Sequence, residues 1–123
     1  MFFATLIYEL DPLTPPDARK LLRAELVGRR WNERFDGHLM PAGTMWIRRT
    51  TEPGEDVDHL KAKCVRELYD AVQSVAKTGR AIKLVRGWVQ IAGAGTWGLI
   101  LGDADRRTGD ASESTRTPGS RTT

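Results

Sequence analysis

The chain has 123 residues, 40% of them hydrophobic and 28% charged, with a formal net charge of +3 and a pI near 9.4. That is one domain's length of ordinary globular composition. No run of about 18 apolar residues is present, so a membrane-spanning segment is excluded, and one cysteine, Cys64, excludes an internal disulfide. The first residues, Met1-Phe2-Phe3-Ala4-Thr5, lack a basic n-region and soon meet Glu9 and Asp11. No secretory leader is therefore expected, and the expected location is the cytoplasm.

Residues 2–9 are rich in aromatic and β-branched types and stop at Asp11-Pro12. They read as a buried central strand. Thr14-Pro15-Pro16-Asp17 then opens a helix, with Thr14 as cap, proline at the first position and an acid at the positive end of the dipole. The helix is expected to run to about Val27 and stop at Gly28. Residues 30–40 carry Trp31, Phe35 and Leu39 among polar neighbours, and Asp36-Gly37 is a turn signal. A short, irregular edge strand is expected there. Residues 44–50 form a clearer strand, ended by Glu52-Pro53-Gly54.

Glu55-Asp56-Val57-Asp58 begins the longest helix, where acids suit the dipole. Leu60, Cys64, Leu68, Val72 and Val75, with Val57 and Ala71, make an apolar stripe down to Thr78-Gly79. A strand is expected over 80–91, broken by Gly87, then a glycine-rich link and a last short strand over 96–101. From Asp103 onward the only apolar side chains are Ala104 and Ala111. Such a segment cannot bury enough apolar surface to offset its ordering entropy, so 103–123 is expected to be a disordered polar tail. The tail is neutral, and the positive charge falls on residues 1–102, with 15 basic against 12 acidic residues.

The order β-α-β-β-α-β, with an extra C-terminal strand, predicts an α+β fold. Two one-sided helices over four or five strands make a two-layer sandwich in residues 1–102, and the ferredoxin-like arrangement is its simplest form.

Little in the sequence carries catalytic chemistry. His38 and His59 are isolated from other metal ligands, and Cys64 sits on the apolar stripe as a structural thiol. Gly93-Ala94-Gly95 is followed by residues that do not read as a helix, so it is a hairpin link and not a dinucleotide loop. Two features remain. Glu9 and Asp11 stand at the exit of the first strand and share a face if that strand continues. Two carboxylates so placed could hold Mg²⁺ with a substrate phosphate, or could simply mark the strand's end. Basic residues also gather with tryptophans: Arg29, Arg30, Arg34, Arg48 and Arg49 in one group, Lys77, Arg80, Lys83 and Arg86 in another, with Trp31, Trp46, Trp88 and Trp97 beside them. Arginine with interleaved aromatics on a sheet suits a nucleic-acid backbone with base stacking. It equally suits a homodimer interface.

The hydrophobic strand ending in Tyr8-Glu9-Leu10, the strand Thr44-Met45-Trp46-Ile47 and the strand Ala81-Ile82-Lys83-Leu84-Val85 together resemble a group of small ferredoxin-like proteins. The group includes the CRISPR adaptation nuclease subunit, the VapD toxin and the SinR-like and GhoS-type toxin–antitoxin proteins. The resemblance covers residues 2–101 in element order. It implies a dimer that touches RNA or DNA and, in some members, Mg²⁺-dependent cleavage by the acid after the aromatic. Glu9 alone carries over to that position, as metal ligand and catalytic acid, where the group usually has Asp; Asp11 would stand beside it. Arg30, Arg34, Arg48, Arg49, Lys83 and Arg86 are the expected nucleic-acid contacts. The alternative is a non-catalytic interaction module that pairs through its tryptophan- and arginine-bearing sheet.

Overall fold

The computed structural model describes residues 1–93, 100 and 102. Its elements are β1 (Phe2–Leu10), α1 (Pro16–Gly28), β2 (Arg34–Phe35), β3 (His38–Leu39), β4 (Thr44–Arg49), α2 (Val57–Ala76) and β5 (Leu84–Ala92). The last predicted strand, Trp97 and the predicted tail lie outside the described residues.

β1 is central, as its composition predicts. It pairs antiparallel with β4 on one side and β5 on the other, giving a three-stranded sheet of order β4-β1-β5. The fold is therefore α+β. The predicted edge strand over 30–40 is smaller than expected. Arg34–Phe35 and His38–Leu39 form their own tiny hairpin around Asp36 and Gly37, both at positive φ (52° and 81°). Positive φ at both turn positions matches the twist of a two-residue hairpin. Only Asn32 reaches the main sheet, through an isolated antiparallel bridge to Trp46.

One face of the sheet carries the helices. Ala4, Leu6 and Leu10 of β1 and Met45 and Ile47 of β4 pack with Ala18, Leu22 and Leu26 of α1 and Cys64, Leu68, Ala71 and Val75 of α2. The α2 residues are those of the predicted stripe, except that Val57 is exposed; at the end of α1, Val27 is exposed as well. Trp31, just past α1, is buried in the same core. Gly87 lets α2 sit close to the sheet, since a Cβ there would lie 3.1 Å from Leu68 Cδ2.

Two helix ends differ from expectation. Thr14 does not cap α1: Pro15 is the N-cap, no side chain bonds there, and the buried Thr14 hydroxyl has no hydrogen-bond partner. The two prolines move the start one residue beyond its reach. At the other end Gly28 stays helical. The chain turns two residues later, where the Arg30 N–H donates to the Val27 carbonyl (3.0 Å) and the Trp31 N–H to the Leu26 carbonyl (3.0 Å). This is a Schellman motif with Arg30, at φ 79°, in the left-handed position that glycine usually fills. α2 starts with a reciprocal capping box: Asp56 Oδ1 accepts from the His59 N–H, and His59 Nδ1 accepts from the Asp56 N–H.

Candidate nucleic-acid interface

Alternation along the strands sends every second side chain to the face that has no helix. The register sets Phe3 against Arg48, Thr5 against Trp46 and Gln90, Ile7 against Trp88, and Glu9 against Arg86. Two of the four tryptophans thus share the open face with two arginines. Phe3 and Trp46 stack with centroids 5.0 Å apart and planes 7° from parallel, Phe35 meets Trp46 edge-on, and the Arg48 guanidinium lies 5.5 Å from the Trp46 ring centre. Trp46 is further fixed by its indole N–H, which donates to the Arg34 carbonyl (2.7 Å). Trp88 is left 63% exposed beside a half-exposed Ile7. The face therefore has one rigid, cation-covered aromatic stack and one open indole.

The expected basic residues separate. Arg48 and Arg86 are on the open face. Arg30 stands at the end of α1 and shares an open cleft with Asn32, Trp46 and Arg48. Arg34 is spent on its own hairpin, donating to the Gly37 carbonyl (3.0 Å). Lys83 precedes β5 and is exposed, its carbonyl accepting from the Asp11 N–H. Arg49, next to Arg48, points the other way. It donates to Glu67 Oε1 at 2.6 Å, its guanidinium lies 5.5 Å from the Trp31 ring centre, and Trp31 Nε1 donates to the same carboxylate oxygen at 2.8 Å. Arg49 therefore belongs to the packing between sheet and helix, pointing to the opposite side of β4 from Arg48 although both border the cleft at that strand's edge.

Glu67 is the residue sequence reading passed over. It lies three residues after Cys64 and seven after Leu60, so helical spacing puts it on the edge of the buried stripe. A carboxylate there must find donors. Cys64 lies against the same cluster, and burial pushes its thiol pKa up despite the nearby Arg49. It is a structural thiol, as its position predicts.

The two acids do not converge. β1 ends at Leu10, so the condition that would align Asp11 with Glu9 is not met. Asp11 instead closes a turn, its Oδ1 accepting from the Leu13 N–H (2.8 Å). Glu9 pairs with Arg86 across the strands at 2.8 Å, both side chains largely exposed. Glu9 thus faces Arg86 in a solvent-exposed pair, and Asp11 does not stand beside it. No group of three potential ligands occurs among the described residues.

A smaller cleft of about 190 Å³ opens on the helical side between Tyr8, the Arg23–Glu33 pair and the Met40–Thr44 turn. Burial raises the Tyr8 phenol's pKa, with Arg23 and Arg19 opposing.

No family model matches the chain, and no solved structure matches it significantly. Among curated proteins it is 30% identical over 76 residues to the proteasome subunit beta of Rhodococcus erythropolis strain PR4, and equally to proteasome subunit beta 2 of Rhodococcus erythropolis. The match covers 58% of this chain and 26% of each of those proteins, so the chain spans about a quarter of their length.

Proposed function

We propose that this chain is a nucleic-acid-binding domain of ferredoxin-like topology, whose open sheet face receives single-stranded RNA or DNA. The Asn32–Trp46 bridge supports the topology, because it places a vestigial fourth strand outside β4. One observation carries the function: Trp46 and Trp88 lie on the same face as Arg48 and Arg86, and the described helices pack on the opposite face. An exposed indole such as Trp88 stacks an unpaired base while a guanidinium with no acidic partner among the described residues, such as Arg48, holds phosphate, a combination that tolerates many sequences. The resemblance to small toxin–antitoxin and CRISPR-associated proteins supports a role in that setting. Cleavage is not part of this reading, since Asp11 does not stand beside Glu9 to complete a paired-carboxylate site.

The test is fluorescence anisotropy with a labelled mixed-sequence 12-mer, as single-stranded RNA, single-stranded DNA and duplex, over a salt series. Single strands should bind more tightly than duplex, and affinity should fall with salt. Trp88→Ala should weaken binding by about 1–3 kcal/mol, the worth of one stacked base. Incubation of the same RNA with Mg²⁺ or with EDTA reads any cleavage. A second reading, face-to-face pairing of two copies, draws on the exposed Ile7–Trp88 pair. It predicts dimers by light scattering that Trp88→Ala dissociates, with no salt-dependent binding to the probe.

A further inference from the structure

The outer edge of β4 is only partly covered. Trp46 uses both its N–H and its C=O on Asn32 (3.1 and 2.7 Å). In an antiparallel strand the groups two residues on point the same way, so the N–H and C=O of Arg48 also face outward. Continuing the register would put Arg30 opposite Arg48. The chain does not continue: Arg30 turns back to close α1 through the Val27 carbonyl. What remains beyond the bridge is an open cleft of about 490 Å³ lined by Arg30, Asn32, Trp46, Ile47, Arg48 and Arg49. Among the described residues no acidic side chain lines it. Arg49 is neutralised by Glu67, but among the described residues neither Arg30 nor Arg48 has a carboxylate partner.

Arg30 is also in the wrong backbone conformation for its type. The left-handed position of a Schellman motif is glycine's, because any Cβ there is strained. Helix-dipole complementarity does not account for the arginine, since Arg29, one residue earlier, already serves that end and pairs with Glu25. Strain kept at such a position points to a side chain needed for something else.

We infer that this cleft is a phosphate-binding site, in which the Arg30 and Arg48 guanidiniums flank one backbone phosphate of a single-stranded nucleic acid. The inference rests on the open-face reading and adds to it the strand's anchoring point. A guanidinium presents parallel donors matched to phosphate oxygens, and the outward Arg48 backbone N–H adds a third donor group beside the two guanidiniums. The phosphate would sit at the β4 edge, and the chain would run from there across Trp46 toward Trp88.

The full chain and its Arg30→Gly, Arg48→Ala and Trp88→Ala variants are compared on the labelled single-stranded RNA 12-mer over a salt series, with thermal melts in parallel. Arg30→Gly should lose about tenfold in affinity and flatten the salt slope by about 0.7, the value of one phosphate contact on a single strand. Its melting temperature should hold or rise, because glycine relieves the left-handed position. Arg30→Lys should recover only part of the affinity. If Trp88→Ala weakens binding while Arg30→Gly leaves affinity and slope unchanged, the cleft is overturned and the face reading stands. If the unsubstituted protein binds neither RNA nor DNA, both fall.

Discussion

Arg48 and Arg49 are neighbours in the sequence and look interchangeable, yet the sheet sends them to opposite sides, so their substitutions should read out differently. Arg49→Met keeps the aliphatic stem and removes the guanidinium. Glu67 would then lose its charged partner while its side chain is only 26% exposed, against 16% for Arg49. Breaking a fully buried pair costs about 3–5 kcal/mol; the partial access of water here lowers this to about 2–3 kcal/mol, including the cation–π contact to Trp31. For a domain of this size that is a fall in Tm of roughly 10–20 °C. Arg48→Met removes only an exposed contact over Trp46 and should cost under about 1 kcal/mol. Urea denaturation followed by circular dichroism, with unchanged m-values, measures both. The double variant Arg49→Met with Glu67→Gln should lose less than the sum of the two single losses, by about 1–2 kcal/mol, because the singles share one interaction. Equal losses for Arg48→Met and Arg49→Met, or additive losses in the cycle, would refute the two-sided assignment.

Two further outcomes are expected. Gly43→Ala should destabilise by about 2–4 kcal/mol, because Gly43 has φ 76° and a Cβ there would collide with the Tyr8 carbonyl oxygen; a urea midpoint close to the unsubstituted protein's would contradict this. The Asp56 carboxyl is held below its ordinary pKa chiefly by the backbone N–H of His59, with the His59 side chain adding to it. A pKa depressed on folding stabilises above the unfolded value and ceases to do so as pH falls through the folded one. Asp56→Asn keeps the cap but cannot titrate, so its Tm should lie below the unsubstituted protein's at neutral pH, with the gap closing on acidification beneath the carboxylate range. A gap independent of pH would remove the charged cap from the account.

The parts of the fold that were legible in the sequence are those set by periodicity and composition: the central β1, most of the two helical stripes, β4, and β5 apart from the expected break at Gly87, through which the strand runs. What was not legible depended on contacts distant in sequence. Glu67 finds Trp31 and Arg49 36 and 18 positions away. The residues over 30–40 alternate too poorly to form a strand, and only the Asn32 bridge shows where one would run. At α1 local signals misled, since Thr14 and Gly28 are the usual punctuation but two prolines shift the start and Arg30 takes the turn. The candidate site divides along the same line. Composition brought tryptophan and arginine together, but only strand register decides which of them share a face. Register removes Arg49 and Trp31 to the interior and sets Arg48 on the open face with Trp46 and Trp88. A departure from local rules, arginine where glycine is at ease, then sets Arg30 at the cleft on the β4 edge. The residue least suited to its backbone is thus the one whose side chain most needs a ligand to explain it, and its replacement by glycine separates the demands of folding from those of binding.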